Sequence, residues 1–308
     1  MTRMATGTAG PIARLLGAQL AIGAAAIFAR FALMGAGPLA VSALRLGIAT
    51  LALAFVFRGF TRLSWRRELA FAAAGCALAL HFATWIASLR YTSVAISTLL
   101  VTTTPLWTEL YAIVIERRAI SRAFTIALAC ASGGVALIVL PGSAPAPIAG
   151  HALLGAGLAL VGSFAIGAYL LVVRDAGRES ATARLSTRQI VARTYGWATI
   201  VLSVAAAFAH EGPPTANDRT AWAGILAMAL VSQLLGHTLL NAALASFAPS
   251  TVALATLLEP AIAAVLAAAA FRETLAPTTI VGGLLVLAAV AVVLLQSNEA
   301  ARTEAEVT

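Results

Sequence analysis

Residues 92–140 of this chain recur at 247–295, a shift of 155 positions. Leu99 falls on Leu254, Pro105 on Pro260, and Ala112 on Ala267. At the far end the run from Val135 to Leu140 falls on the run from Val290 to Leu295. Each copy is an apolar segment with a proline inside it, a short charged break, and a second apolar segment. A repeat of this kind, with halves about 150 residues apart, is the mark of a duplicated membrane unit.

Composition fixes the solvent. Hydrophobic residues make up 61% of the chain, charged residues 10%, and the mean hydropathy is +0.94. A soluble domain is about half apolar and about a quarter charged. The apolar excess must face lipid, so one polytopic membrane domain is expected. The net charge is +8 and every basic residue is arginine. These arginines sit in the short breaks between apolar segments, which is a topology signal and not a nucleic-acid surface. Cys76 and Cys130 lie inside apolar segments, where they read as small buried apolar residues.

A bilayer core of ~30 Å takes ~20 apolar residues as helix. Ten segments meet that length: 14–34, 38–57, 69–89, 92–115, 122–141, 151–173, 188–209, 221–243, 247–271 and 277–296. The first follows Arg3 and Arg14 and imitates a signal peptide. Removing it would break the five-plus-five count, so it is read as a retained span. The expected layout is a tail over 1–13, a first five-helix repeat over 14–141, a linker over 142–150, a second repeat over 151–296, and a tail over 297–308.

Arginine placement orients the chain. With the N-terminus inside, the inner breaks and tails hold 14 arginines and the outer ones hold Arg90, Arg219 and Arg272. Arg30, Arg45 and Arg193 lie within segments. Both termini are therefore expected in the cytoplasm, with the chain in the inner (plasma) membrane. An odd number of helices per half means that the second half enters the membrane upside down. The fold class expected is all-α, ten transmembrane helices in two inverted five-helix repeats. Gly17, Ala21, Ala25 and Ala29 recur every four residues in the first segment, and Gly155, Ala159, Ser163 and Gly167 do so in the sixth. Small residues at that spacing let helix backbones approach closely in lipid.

Polar groups deep in a bilayer are costly and usually have a partner or a task. His81 lies in the third segment and His237 in the eighth, the equivalent segment of the other half. Helical spacing places His81, Trp85 and Ser88 on one face, and Gln233, His237 and Asn241 on another. Such stripes point away from lipid, either into a substrate cavity or into hydrogen bonds between helices. The fourth segment carries Thr98, Thr102, Pro105 and Glu109 along one side, with Thr103, Trp107 and Tyr111 nearby. Pro105 and its counterpart Pro260 remove a backbone donor and are expected to bend their helices. Aromatic rings, hydroxyls and a bent backbone would suit a small amphipathic metabolite. The candidate substrate-binding residues are His81, Trp85, Thr102, Trp107, Gln233, His237 and Asn241.

Glu109 and Glu259 are the acids well inside a segment, and with Pro105 and Pro260 they are the candidates for coupling or gating. A buried carboxylate beside histidine could exchange a proton. Glu116 and Glu273 sit at segment ends and are expected to be solvated. Arg45 and Arg193 each lie in the second segment of a half. They could bind a carboxylate, pair with the glutamates, or snorkel outward, and the last two are favoured.

No phosphate-cradling loop, nucleophile elbow or metal-spaced cluster is present in the sequence, and no cofactor is expected. The chain has no lysine. An enzyme acting on lipid would need histidines at the bilayer surface, and these are mid-segment. A sensor or assembly subunit would usually carry a longer soluble part than the break at 174–187.

These features resemble the EamA-type branch of the drug/metabolite transporter superfamily, which has ten helices in two five-helix repeats. The resemblance rests on Pro38 followed by Arg45, on the run from Tyr91 to Ala95 ahead of Thr104 to Trp107, on Leu258, Glu259 and Pro260 followed by Arg272 and Glu273, and on Gly282 and Gly283 opening the last helix. It covers about residues 12–296. Arg118 stands where analogy with Glu273 would place an acid. The resemblance implies a secondary transporter, an exporter of amino acids or related small metabolites, that is not an enzyme. Its partners would be a small-molecule substrate and the lipid bilayer, with no nucleic acid, and a homodimer is left open.

Overall fold

The computed structural model describes residues 9–56, 62–139, 151–178, 185, 187–236, 239 and 255–307. Among them the regular structure is all helical. The helices are α1 (Ala9–Gly23), α2 (Ala25–Ala32), α3 (Pro38–Val56), α4 (Trp65–Ser88), α5 (Val94–Val101), α6 (Thr104–Val114), α7 (Arg122–Val139), α8 (Ala152–Arg178), α9 (Thr187–Phe208), α10 (Arg219–Ala227), α11 (Leu258–Phe271) and α12 (Pro277–Val307). A π-helical stretch, Met228–Gly236, continues α10. Five helical spans are long and apolar enough to cross a bilayer: Ile12–Ala32, Trp65–Ser88, Ala152–Val173, Arg188–Phe208 and Arg219–Gly236. Shorter apolar helices run over Pro38–Ala54, Arg122–Leu137, Leu258–Phe271 and Pro277–Val292.

Local chemistry sets several helix ends. Proline opens α3 and α12, where its missing N–H costs nothing. Ser93 caps α5 by accepting the Ile96 N–H at 3.2 Å, and Asp218 caps α10 through the Ala221 N–H at 3.0 Å. The C-terminal ends of α6 and α11 show the repeat in backbone detail. Arg117 and Arg272, 155 residues apart, both take the left-handed conformation, with φ of 57° and 54°. The following N–H reaches back six residues in each case, Arg118 to the Ala112 carbonyl and Glu273 to the Ala267 carbonyl.

The proline of each copy breaks its helix instead of bending it. The expected single helix over 92–115 stops at Val101 and restarts at Thr104, so Pro105 falls at the start of α6. Carbonyls orphaned at such a break need donors inside lipid. Three threonine hydroxyls supply them: Thr102 donates to the Leu99 carbonyl at 2.7 Å, Thr103 to Leu100 at 2.7 Å and Thr104 to Val101 at 3.0 Å. The same helix–turn–turn–helix pattern precedes Pro260, with its turn at Thr256 and Leu257.

Small residues crowd the interior beside large ones such as Phe71, Leu46 and Ile86, and many large apolar side chains face outward. Ala26, Ala29, Ala32, Ala159, Ala198 and Ala267 are fully buried, whereas Leu51, Leu69, Leu153, Phe208 and Val265 are exposed. Lipid offers no hydrophobic drive between helices, so close backbone approach must supply the packing energy. Both small-residue stripes are such seams. Gly155 meets Thr92, Ser163 is buried against Thr103 and Thr104, and Gly167 faces Trp107. In the other half the Ala21 carbonyl accepts the Ser232 hydroxyl at 2.7 Å. Cys76 departs from its expected burial: it is exposed on α4, and Cys130 is half-buried.

Helix neighbours respect an exchange of halves. α4 packs on α8, and α10 with its π extension packs on α2 and α1. α4 packs on α9, and the π extension packs on α3. α3 lies on α9 and α7 on α12, each helix against its own equivalent, and α5 lies on α11, the equivalent of α6. Those self-pairs run antiparallel. Glu211, just past the end of α9, accepts the Leu39 and Ala40 N–H groups at the start of α3, at 2.7 and 3.0 Å. Gly134, late in α7, abuts the Gly282 carbonyl, early in α12.

Candidate functional site

Arg45 lies seven residues into α3, about 10 Å along it at ~1.5 Å per residue. Its side chain turns inward to where both halves meet and is 2% exposed. One guanidinium nitrogen, Nη2, donates to Gln233 Oε1 in the π stretch. Gln233 is 2% exposed and in turn donates through Nε2 to the Tyr195 hydroxyl on α9. The guanidinium lies over the Phe82 ring at 4.3 Å and 5.9 Å from the Trp85 ring. Cations favour such faces because of the ring quadrupole. Arg45 Nε and Nη1 and Trp85 Nε1 are buried with no hydrogen-bond partner. Arg45 therefore neither pairs with a glutamate nor snorkels, the two fates that sequence favoured. Arg193, its counterpart in α9, does pair: its Nε meets Glu68 at 3.2 Å.

From Trp85 the cluster continues along α4. The His81 ring stacks parallel to Trp85 with centroids 6.1 Å apart. His81 Nδ1 lies 2.9 Å from the Gly162 carbonyl on α8, which fixes Nδ1 as the donor. The next residue of α8, Ser163, meets the Thr103 hydroxyl at 2.9 Å and the Thr104 hydroxyl at 3.2 Å. Phe164 then packs edge-on to Trp107 with centroids 5.7 Å apart. Trp107, Tyr111, Phe164, Gly167 and Leu171 line a cavity of about 290 Å³ between α6 and α8. The Trp107 Nε1 donor is buried without a partner.

Gln233, Trp85 and His81 thus fall on one path through Arg45, which the α8 backbone at Gly162 and Ser163 separates from Trp107. The Thr102 hydroxyl is committed to the Leu99 carbonyl. Glu109 lies apart, midway along α6, and pairs with Arg118 instead of a histidine. Glu259 stands in the first turn of α11 with no hydrogen-bond or ion-pair partner among the described residues. Pro260 is buried in the same turn. His237 and Asn241 lie outside the described residues.

One acid overturns its expected solvation. Glu273, in the loop after α11, has a side chain only 11% exposed. Its Oε1 meets Arg30 of α2 at 3.0 Å and its Oε2 accepts the Val94 N–H at 3.0 Å. Arg30 also donates to the Thr92 carbonyl at 3.0 Å. Burial pushes the Glu273 carboxyl above the usual carboxylate range, against the opposing pull of Arg30 and the Val94 N–H.

The comparisons bear on what this arrangement serves. The model of the EamA-like transporter family matches residues 11–140 and again 153–295, once on each half. The chain belongs to that family. This EamA-like protein is accordingly a multi-pass membrane protein of the drug/metabolite transporter superfamily. No curated protein is detectably similar to it in sequence. A crystal structure whose title says only that it is of a protein superimposes with a TM-score of 0.60, covering 95% of this chain and 99% of the other at 14% identity. That likeness supports the fold alone.

Sequence reasoning missed Phe82, Tyr195 and the Arg30–Glu273 latch. Phe82 and Tyr195 carry no periodic polar signal. The latch joins residues from opposite halves, and only tertiary structure brings them together.

Proposed function

We propose that this EamA-like transporter is a secondary carrier that exports amino acids or related small metabolites by alternating access. Ten membrane helices would form two inverted five-helix repeats, in the plasma membrane with both termini cytoplasmic. The observation that carries the reading is the meeting of Arg45 of the first half with Gln233 and Tyr195 of the second, inside a protein of a transporter family. A buried polar cluster at the seam between repeats is where carriers of inverted-repeat design hold substrate. The antiparallel contact of α3 with α9 and of α7 with α12 supports the inverted arrangement.

His81, Trp85, Thr102, Trp107 and Gln233 form the substrate side of this reading, joined on sequence grounds by His237 and Asn241. Pro105 and Pro260 open the breaks about which α6 and α11 swing. Glu109 and Glu259 are the groups assigned to coupling or gating. The direction of transport rests on the family resemblance.

Counterflow in proteoliposomes tests this. Vesicles preloaded with one member of a panel of amino acids and amphipathic metabolites should accumulate the labelled form, with and without a pH gradient. His81→Ala should lower the rate at unchanged insertion. Flux equal to empty vesicles across the whole panel would end the transport reading.

A further inference from the structure

We propose that Arg45 and Trp85 form the binding site for the carboxylate of a small organic monocarboxylate, with Phe82 and the Trp85 ring taking its apolar part. The proposal rests on the transport reading and names the substrate class.

The argument begins with charge. Of the three arginines inside spanning segments, Arg30 meets Glu273 at 3.0 Å and Arg193 meets Glu68 at 3.2 Å. Among the described residues Arg45 meets the neutral Gln233 and two aromatic rings. An ionised group removed from water needs a counter-ion or a full set of hydrogen bonds. Arg45 has neither: Nε and Nη1 together carry three N–H bonds with no acceptor.

Of the segments outside the described residues, 179–184 alone holds an acid, Glu179, in the break between the expected spans 151–173 and 188–209. Residues 237–254, which continue the π stretch that bears Gln233, contain no Asp or Glu. Neither do 57–61 or 140–150. The twelve acids of the chain fall elsewhere. Those with described side chains in ion pairs or caps are Glu68, Glu109, Glu211, Asp218 and Glu273. Among the described residues no acid balances Arg45, so its counter-ion is a bound ligand.

The donors define that ion. Arg45 and Trp85 present N–H groups only, and the Gln233 carbonyl is already used. A single guanidinium balances one negative charge, so a monoanion fits and a dianion leaves an excess. The flat faces of Phe82 and Trp85 beside the cation favour a carboxylate attached to an apolar group. No carboxylate stands there to receive an ammonium group. Because Gln233 and Tyr195 come from the second half, parting of the halves would uncover the site.

The test uses the full-length protein purified in detergent and reconstituted. Acetate, isobutyrate, benzoate and L-phenylalanine are each compared with the corresponding amide. At least one carboxylate should raise Tm and compete in counterflow, and its amide should do neither. Arg45→Gln should weaken that carboxylate on the order of tenfold or more, the loss expected for a buried charge-assisted contact. Arg45→Lys should keep part of the affinity. Should Arg45→Gln fail to fold, Trp85→Phe removes only the second donor and should still weaken binding several-fold. Equal binding of acids and amides, or wild-type benzoate affinity in Arg45→Gln, overturns the site. Counterflow of neutral or cationic compounds untouched by every carboxylate overturns the site and leaves transport standing. Carboxylate binding that depends on Arg45, with no counterflow of any compound, overturns transport and leaves the site standing.

Discussion

Arg30 and Glu273 are 243 positions apart in sequence and 3.0 Å apart in the fold. They lock the end of α2 to the loop after α11, across the seam between halves. Glu273 follows the left-handed Arg272, just as Arg118 follows the left-handed Arg117 in the other copy. Yet Arg118 turns to Glu109 of its own helix pair. The shift that takes Gly17 to Gly155 takes Arg30 to Ala168, so the arginine of the latch has no equivalent in the second copy.

Breaking that bolt from either side should give unequal results. Arg30→Ala strands a carboxylate that is 11% exposed, at a cost of about 3–5 kcal/mol for a buried pair cut in two. Glu273→Gln keeps an acceptor for the Val94 N–H, and Arg30 loses its counter-ion but keeps the Thr92 carbonyl, so a smaller loss of about 1–3 kcal/mol is expected. Thermal unfolding in detergent, with thiol labelling of an Ala36→Cys probe near the latch, measures both. Equal losses in the two variants would contradict the geometry.

Acid should favour the bolted form. The Glu273 pKa is raised in this conformation and ordinary once the loop opens to water. The bolted form therefore binds the proton more tightly. Its advantage is full below the ordinary carboxylate range and is lost as pH rises through the raised value. Labelling at Ala36→Cys should grow with pH across that window, and Glu273→Gln should flatten the dependence. Labelling that falls as pH rises would reverse the sign argued here.

The threonines at the break in front of Pro105 should matter more for stability than their exposure suggests. Thr103→Val removes the hydroxyl donor from the Leu100 carbonyl, which keeps the Thr103 N–H at 3.2 Å, and one of two hydroxyl partners from Ser163, which keeps Thr104 at 3.2 Å. A loss of about 1 kcal/mol is expected, the net worth of an intramolecular hydrogen bond. Pro105→Ala restores an N–H able to reach the Val101 carbonyl, so Tm should hold or rise while counterflow slows. A variant that loses Tm and keeps full flux would show that the break is only structural.

Close helix contact predicts a sharp contrast between two glycines. A methyl at Gly224 would fall 2.5 Å from the Phe28 carbonyl oxygen and 2.6 Å from the Ala32 nitrogen, both backbone atoms that cannot yield cheaply. Gly224→Ala should cost about 1–3 kcal/mol or more, in the range of an overpacked core. Gly157 has nothing within 4 Å, and Gly157→Ala should be neutral or slightly stabilising. Thermal unfolding of the two proteins decides it.

Much of this could be read from the residues alone. The shift between copies located Pro105 and Pro260 at equivalent places, because duplication preserves local chemistry, but the expected bends are breaks. The stripes from Gly17 to Ala29 and from Gly155 to Gly167 became seams, because only small side chains let helices touch. Glu273 was misjudged because proximity to a helix end says nothing of an arginine brought from α2. The contrast between Arg45 and Arg193 was equally hidden. Both read as arginines in the second helix of a half, and only the fold shows that α4 offers Glu68 to one and two aromatic rings to the other.

Arg45 also has an electrical consequence. A full positive charge lies inside the membrane-spanning part with no acid beside it among the described residues. Moving one such charge through the whole transmembrane potential is worth about 2.3 kcal/mol per 100 mV. Any rearrangement that carries α3 through part of that field is therefore pushed or resisted by voltage. A monoanion seated on the guanidinium cancels the charge, so the voltage acts on the empty protein and spares the loaded one.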